Sequence, residues 1–460
     1  MSPLYDYVNQ VQNAYIHQDE QLFSSLFNIN IATPTVLSDA LMNTREDQVE
    51  NIVNSQLEDI SYALAEATHN YLKWLRCLSD PDRTVVFETF TTLYSSLIPL
   101  FNGSDSFFQL PVVKTLSTAF VQLAFDVDKT RGLKGKARKA NTAARLLSKM
   151  FNIMLADRSP METSKRQGIF HVTNLAFKVY FKLNNIRMCQ TFMSNIRTGG
   201  VELEQFPISE QVTYKYYTGR YALYHGRLKQ AEEYLLFAFN KCHIDYWNNK
   251  RLILHYLIPT RIILGYFPSL MLLRKYQLEE YFAPLMRCIR SGHMAGFLHH
   301  LEAYFAYFYR HFTYLLLKER GVVLIWRCLI KNLYRQQQIL GNTKPAIDFD
   351  LYLTALYTSY DDRSYNPQQQ QQEQPKQVFD LNDVEGIFVS LISQGYIRGY
   401  LQHQRHRIVL SKVNAFPAIS SVHLHVERYN ETLMEEHMTN AQPAMPPEIQ
   451  EIISNGTCQQ

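Results

Sequence analysis

The sequence has little of what characterises a disulfide-stabilised, collagenous or disordered chain. Glycine and proline number only 17 each in 460 residues, which suits a chain rich in helices. The six cysteines form no C-x-x-C pair, so we expect reduced and mostly buried thiols in a cytosolic or nuclear protein. Charged residues make up 19% and aromatic residues 13%, a composition that predicts a globular protein.

Sequence features of enzymes and membrane proteins are also missing. There is no G-x-x-x-x-G-K, no G-x-G-x-x-G and no H-E-x-x-H motif. The beginning of the chain has no signal-peptide pattern, and the most apolar window, 255–273, contains Arg261 and two prolines, so we expect a core helix and no membrane span. His423 and His425 resemble the H-x-H of metallo-isopeptidases, but no aspartate follows them to complete a zinc site. We therefore predict a protein that is not an enzyme, without catalytic residues, metal ligands or cofactor.

The most strongly patterned stretch is 212–268. Gly219, Ala231 and Ala238 are separated by 12 and 7 residues, which is typical of the small residues in a tetratricopeptide-type helix pair. Small residues allow two helix axes to cross closely. Gly226 is suited to the turn between the helices, because glycine tolerates a positive φ. The pattern predicts helices at 212–225, 228–242 and 250–264.

The same stretch carries a resemblance to a known family. VTYKYYTGR, QAEEYLLFAFNKC and NNKRLILHYLIP resemble the PCI-domain proteins, in the branch that holds the subunit of transcription-export complex two and its relative, the twelfth, signalosome-associated subunit. The resemblance extends from about residue 5 to about residue 420. It implies a mostly α-helical fold, a right-handed stack of TPR-like helical pairs that ends in a winged helix with a small β-hairpin.

The rest of the sequence agrees with this fold. Three predicted helices, at 322–338, 348–360 and 380–394, precede alternating residues that predict a β-hairpin around 403–405. We therefore predict N-terminal helical repeats at 1–205, the helical part of the PCI domain at 206–320, its winged-helix part at 321–425 and a flexible tail at 426–460. A glutamine-rich loop occupies 361–376.

The net charge of +4 is too small to indicate nucleic-acid binding, so any such prediction depends on local clusters of charge. The winged-helix part has a basic run without an acid between Gly395 and Lys412, and a basic stripe on its first helix. These cations are candidate contacts to a phosphate backbone, independent of sequence; the alternative is a solvated wing or a protein contact. The candidate residues are Arg327, Lys331, Arg335, Arg398, His403, Arg405, His406, Arg407 and Lys412.

A second basic run, 129–149, also lacks acidic residues. Either it is a solvated connection between helices, or it contacts a phosphate backbone or an acidic partner, or it is a nuclear import signal. Its candidate contacts are Lys134, Lys136, Arg138 and Lys139.

The resemblance also implies partners and a location. A member of the export branch pairs with a larger PCI-type helical scaffold subunit and with a small, acidic, disordered subunit shared with the proteasome lid. Together they form an mRNA platform at the nuclear pore, and the two winged helices make one basic surface for RNA or DNA. The signalosome branch implies a protein–protein module instead. The two branches share these motifs, so both interpretations stay open.

Overall fold

The structure is a computed structural model that describes residues 3–29, 36–341, 344–361 and 378–422. The predicted flexible tail, almost all of the glutamine-rich loop and the pair His423 and His425 lie outside these residues. The chain divides into two compact units, 1–217 and 218–460. The described residues contain twenty α-helices and three short strands. The predicted mostly α-helical fold is therefore confirmed.

The N-terminal unit is a series of helices in which α1 packs on α2, α3 and α4, and each helix from α4 to α9 packs on the next. Its helices are α1 (Pro3–Ile16), α2 (Glu20–Leu26), α3 (Val36–Asn43), α4 (Glu46–Leu57), α5 (Tyr62–Cys77), α6 (Arg83–Asn102), α7 (Leu110–Thr130), α8 (Lys139–Ala156), α9 (Ile169–Leu183), α10 (Met188–Thr198) and the first part of α11 (Ile208–Tyr224). Aromatic rings fill the space between α6 and α7, where Tyr94 stacks on Phe120 with ring centroids 4.8 Å apart. The buried Tyr94 hydroxyl is satisfied by Ser117 Oγ at 2.7 Å.

Two segments of this unit, Arg83–Asn102 and Phe107–Thr130, are long and apolar enough to cross a membrane by length and composition alone. Half of each segment is buried inside the protein, because α6 packs on α5 and α7, and α7 packs on α8. Core helices of soluble proteins meet the same criterion. The absence of a membrane span stays a prediction.

The C-terminal unit holds the rest of α11 and nine further helices. They are α12 (Leu228–Lys241), α13 (Trp247–Ile263), α14 (Leu270–Lys275), α15 (Glu279–Ser291), α16 (Met294–Ala303), α17 (Phe305–Arg310), α18 (Tyr314–Ile339), α19 (Phe349–Ser359) and α20 (Leu381–Ser393). Its strands are β1 (Ala346–Asp348), β2 (Gly399–Gln402) and β3 (Arg407–Leu410).

The predicted close approach at Gly219 is present. A Cβ atom at this position would lie 2.8 Å from Leu235 Cγ, so only glycine lets α11 pack on α12 at this distance. Gly226 has φ +72° in the turn between the two helices, as its position in the sequence predicted. Ser269 follows Pro268, and the sequence predicts it as an N-cap. It caps α14 by accepting a hydrogen bond from the Leu272 N–H.

The last elements follow the order helix, strand, helix, helix, strand, strand, from α18 to β3. The strands form an antiparallel sheet in the order β1-β3-β2, with Ile408 of β3 opposite Ile347 of β1 and Leu401 of β2. This is the arrangement of a winged helix, and β2 and β3 are the predicted hairpin. Strand β1 was not predicted, since its three residues are too few to show an alternating pattern.

Two helix boundaries differ from the sequence prediction. The sequence also predicts one continuous helix at 293–318, but this stretch is interrupted at Tyr304 and at 311–313, where Phe312 has φ +56°. The expected helix at 322–338 is the second half of α18, which begins at Tyr314 and continues through the predicted domain boundary at 320 and 321. The two compact units meet at 217 and 218, within α11, and the predicted division at 205 and 206 stays a prediction.

Candidate nucleic-acid interface

The wing is the hairpin of β2 and β3 with a single 3-10 turn at its tip, His403–Arg405. His406 follows the turn in the left-handed conformation, with φ +45°. Its carbonyl oxygen accepts a 2.8 Å hydrogen bond from the Phe349 N–H at the start of α19. At the other end of the hairpin, the Arg398 N–H donates to the Ala415 carbonyl over 2.9 Å. Both ends of the wing are thus fixed by backbone hydrogen bonds.

Three of the predicted cations are exposed along this hairpin. Arg398 lies before β2, Arg405 lies in the tip and Lys412 follows β3. None of them forms an ion pair with another described residue. The structure therefore brings these three cations to one solvent-exposed hairpin.

Two of the other three basic residues of the wing lie beside acidic residues from distant parts of the sequence. The His403 Nδ1 atom lies 2.9 Å from both carboxylate oxygens of Glu385 on α20. The His406 ring packs beside His403 and Phe349, with centroids 6.1 and 6.0 Å away. Arg407 is half-buried and directly opposite Asp348 in the sheet, so the two side chains share one face. The basic run has no acid in sequence but has two acidic neighbours in space.

Arg327 is not a surface residue. Its side chain is only 4% exposed, and its guanidinium donates from Nε to the Tyr396 carbonyl over 3.2 Å and from Nη2 to the Pro417 carbonyl over 2.6 Å. Burial lowers the pKa of this guanidinium. The prediction that Arg327 contacts phosphate is corrected accordingly: the residue connects α18 to the two ends of the segment that contains the wing. Lys331 is half-buried and Arg335 is exposed on the same helix.

The helix that enters the major groove in DNA-reading winged helices corresponds here to α20. The sequence predicts Asp380 as the cap of this helix, and Asp380 caps it in a reciprocal capping box with Asp383. Its exposed positions include Asn382, Asp383 and Val389, and the helix contains no lysine or arginine. Such a surface favours neither phosphate contact nor insertion into a groove.

The comparisons with known proteins agree with this architecture. No family model matches the chain. A PCI domain-containing protein of Schizosaccharomyces pombe is 33% identical over 350 residues, which cover 74% of this chain and 76% of the relative. The chain belongs to the family of PCI domain-containing proteins. PCI domain-containing protein 2 of Xenopus laevis is 27% identical over 423 residues, 90% of this chain and 98% of the relative. Protein CSN12 homolog of Neurospora crassa is 31% identical over 296 residues, 61% of each chain.

The second basic run of this PCI protein lies in the N-terminal unit and is mostly folded into helices. It covers the end of α7, a 3-10 turn at Gly135–Ala137 and the first part of α8. Lys134 and Lys136 are exposed in the connection. Arg138 instead lies 3.4 Å from Asp128, and Lys139 lies 3.1 Å from Glu88.

Asp128 explains this local structure. Its carboxylate accepts hydrogen bonds from the Lys139 and Ala140 N–H groups, 2.6 and 3.3 Å away, and so caps α8 from the neighbouring helix. Arg138 also donates to the Lys182 carbonyl over 2.9 Å. An extended import signal needs these cations free, so the ion pairs of Arg138 and Lys139 disfavour that interpretation.

Sequence reasoning missed Glu385, Asp348, Asp128 and Glu88, the acidic neighbours of the predicted cations. Asp128 is one residue before the basic run, so a wider window reveals it. Asp348 and Glu385 are 59 and 18 residues from their partners Arg407 and His403, and only the fold brings them together. Among the described residues, no group of three or more His, Cys, Asp or Glu side chains could hold a metal ion.

Proposed function

We propose that this PCI protein is a non-enzymatic scaffold subunit of a nuclear, transcription-coupled mRNA-export complex, and that its wing contacts the backbone of RNA or DNA. The observation that carries the proposal is the set Arg398, Arg405 and Lys412, three exposed cations on one hairpin without an ion pair among the described residues. Such cations neutralise phosphates and release counterions.

The mode of binding follows from the charges around the wing. Helix α20 offers no cation, so we expect contacts to phosphate and no base-specific readout in a major groove. If three cations each neutralise one phosphate of a single strand, the logarithm of the affinity falls against the logarithm of salt concentration with a slope of about −2.

We also propose two protein partners and a location at the nuclear pore. The partners are a larger PCI-type helical scaffold subunit, whose winged helix would lie beside this one, and a small, acidic, disordered subunit shared with the proteasome lid. A cluster of exposed apolar side chains on α17 and the start of α18 supports a protein partner, since Phe305, Tyr309, Phe312 and Leu315 are all exposed, Tyr309 by 65%.

The binding experiment reverses charge on the wing. Arg398→Glu, Arg405→Glu and Lys412→Glu in one variant should lower the affinity for RNA by about 100-fold at low salt, since each charge-assisted phosphate contact contributes roughly 1 kcal/mol or more. The matched control reverses three exposed cations far from the wing in sequence, Arg187, Arg197 and Lys241. Equal affinity of wild type and wing variant, measured by fluorescence anisotropy, would refute the nucleic-acid part of the proposal.

The second candidate is a signalosome-associated PCI subunit that acts only through protein contacts. The similarity to Protein CSN12 homolog supports it. So do the acidic neighbours of His403 and Arg407, because they reduce the positive charge of the wing. Under this alternative the wing variant binds RNA with the same affinity as wild type and loses a protein partner.

A further inference from the structure

The stretch from the end of α7 to the end of α9 carries far more positive charge than the chain as a whole. Residues 129–183 contain thirteen lysines and arginines and only two acidic residues, Asp157 and Glu162. Their net charge is +11, whereas the whole chain has +4, so the remaining residues carry −7. Charge that is concentrated in this way indicates an anionic partner even where the net charge of the protein is small.

Three of these cations gather near one aromatic ring. The Lys178 and Lys182 ammonium groups on α9 lie over the Phe125 ring of α7, with Nζ 5.9 and 5.6 Å from the ring centroid. Lys129 lies one turn after Phe125 on the same face of α7. All three lysines are exposed, and none forms an ion pair with another described residue. Neighbouring like charges repel each other, so a bound anion stabilises them.

The connection between α7 and α8 adds two more lysines at the same end of α9. Arg138 donates a 2.9 Å hydrogen bond to the Lys182 carbonyl, which holds the connection beside the last turn of α9. The Asn141 amide fixes the connection further by donating to three of its carbonyl groups. Lys134 and Lys136 are exposed there, without an ion pair to a described residue. We call these five residues the α7–α9 patch: Lys129, Lys134, Lys136, Lys178 and Lys182.

The chemistry of this surface indicates the kind of partner. In the stretch 110–183, which the structure describes without a gap, no large apolar side chain is exposed. Folded proteins bury an apolar core at their interfaces, and the bases of single strands stack on exposed aromatic rings. The patch has neither feature. Its separate ammonium groups, near the one exposed acid of α7, Asp126, suit a row of phosphates.

We propose that the α7–α9 patch binds the sugar–phosphate backbone of a nucleic acid, whatever its base sequence and whether its strand is single or paired. The inference rests on the proposed nucleic-acid role and adds a second contact surface, which lies in the N-terminal unit. All five cations are lysines, whose ammonium groups bind phosphate as point charges and impose no fixed bidentate geometry. This is the reason for the tolerance of the patch towards sequence and strandedness.

The test removes the charges of the patch and measures the salt dependence of binding to the full-length protein. The probes are two fluorescent DNA duplexes of equal length and unrelated sequence, and an oligouridine. If each lysine neutralises one phosphate, the plot of log affinity against log salt should become less steep by about 4.5 for both duplexes and by about 3.5 for oligouridine. A decrease of less than half these amounts, or a loss confined to one duplex sequence, would overturn the inference. The patch variant combines Lys129→Gln, Lys134→Gln, Lys136→Gln, Lys178→Gln and Lys182→Gln.

The matched control also removes five exposed positive charges, none of them in the patch or the wing. Two of these residues lie on α10, which packs through Phe192 on Phe177 and Tyr180, on a different side of α9 from Lys178 and Lys182. The control should keep the wild-type slope to within about one unit, whereas a decrease as large as that of the patch variant would contradict a localised site. It combines Arg45→Gln, Arg187→Gln, Arg197→Gln, Lys241→Gln and Lys275→Gln.

A smaller variant keeps the inference testable if the five substitutions together disturb folding. Lys134→Gln with Lys136→Gln changes only exposed residues of the connection, so its thermal melt should match that of wild type. Its slope for the duplexes should become less steep by about 1.8. An unchanged slope in this variant would also overturn the inference.

Failure of the inference can be told from failure of the proposed function. If the wing variant loses RNA affinity while the patch variant binds every probe like wild type, the inference is wrong and the wing still is an interface. If only the patch variant loses affinity, the inference holds and the wing is not an interface. If wild type binds none of the probes at low salt, both fall. If the patch variant keeps its duplex affinity but loses binding of polyglutamate, the patch is a site for an acidic polypeptide and the inference is wrong.

Discussion

The Arg327 guanidinium donates a 2.6 Å hydrogen bond from Nη2 to the carbonyl oxygen of Pro417. Its Nε donates to Tyr396 on the other side of the wing, and the cation lies over the Phe416 ring with its centre 5.9 Å from the ring centroid. One buried side chain of α18 therefore holds both ends of the segment that forms the wing.

Arg327→Ala should destabilise the C-terminal unit by about 2–4 kcal/mol, because it leaves two carbonyl groups without their charged donor and removes buried packing. Urea denaturation measures this loss. The control is Arg320→Ala. Arg320 is a half-buried arginine of the same helix without a hydrogen bond to another described residue. Its substitution should lower the free energy of unfolding by less than about 1 kcal/mol. Equal losses for the two variants would mean that the two hydrogen bonds of Arg327 contribute nothing measurable.

Leu257→Asp should unfold the C-terminal unit. Leu257 is 3% exposed on α13, and an ionised carboxylate at this position has no partner to offset its lost hydration. Leu252→Asp on the same helix is the control, since Leu252 is 42% exposed and its carboxylate can stay hydrated. Circular dichroism melts should show a cooperative transition for Leu252→Asp and none for Leu257→Asp. A cooperative melt near the wild-type temperature for Leu257→Asp would contradict the assignment of α13 to the core.

Gly219→Ala should destabilise the protein by about 1–3 kcal/mol, because the new methyl group would overlap Leu235 and force α11 and α12 apart. Gly386→Ala is the opposite case. A Cβ atom there meets nothing within 4 Å, so the substitution should stabilise α20 by up to about 1 kcal/mol through the higher helix propensity of alanine. Paired thermal melts give both values, and we expect opposite signs for the two substitutions. A stabilising Gly219→Ala would show that the helices do not cross closely at Gly219.

Acid should destabilise the C-terminal unit at a pH where most carboxylates are still ionised. Burial, followed by the charge of His311, lowers the pKa of His255 to about 3, and burial and Arg310 lower the pKa of His311 to about 4. Both histidines are neutral in the folded state and gain a proton on unfolding below about pH 6.5, their ordinary pKa. The unfolded state therefore binds more protons, and stability falls as the pH decreases from about 6.5 towards 4.

The variant that tests this pH dependence is His311→Gln. It should flatten the stability profile between pH 6.5 and 4, because one of the two depressed pKa values is gone. His17→Gln, an exposed histidine in the other unit, should leave the profile unchanged. The rings of His255 and His311 stack with centroids 4.2 Å apart, so His311→Gln also removes a packing contact and lowers stability at all pH values. A uniform loss with an unchanged pH profile would contradict the titration argument.

The elements that could be predicted from the sequence are those determined by local chemistry. Ser269 and Asp380 mark helix starts because their side chains cap the next turn, and Gly226 marks a turn because it takes a positive φ. Apolar residues recur with a period of 3.6 in the helix pair around Gly219 and with a period of 2 in the hairpin around 403–405. Both periods can be seen in a single sequence. These features sufficed for the fold class.

The parts that could not be predicted depend on contacts between distant residues. Strand β1 pairs with β3 across some sixty residues, and its three positions carry no pattern of their own. Arg327 lies among apolar residues at helical spacing, and only the carbonyl groups of Tyr396 and Pro417 make its burial tolerable. The same holds for the wing, where Glu385 approaches His403 only in the folded chain. The number of basic residues in the sequence therefore overestimated the number of exposed cations in the candidate interface.

The role that we propose for this PCI protein is that of a scaffold subunit of an mRNA-export complex. Its most direct test is a pull-down of the tagged full-length protein from nuclear extract treated with nuclease, followed by mass spectrometry. We expect recovery of a larger PCI-type export subunit and a small acidic subunit, with the nuclease treatment showing that the contacts are between proteins. Recovery of signalosome subunits without the export subunit would contradict it.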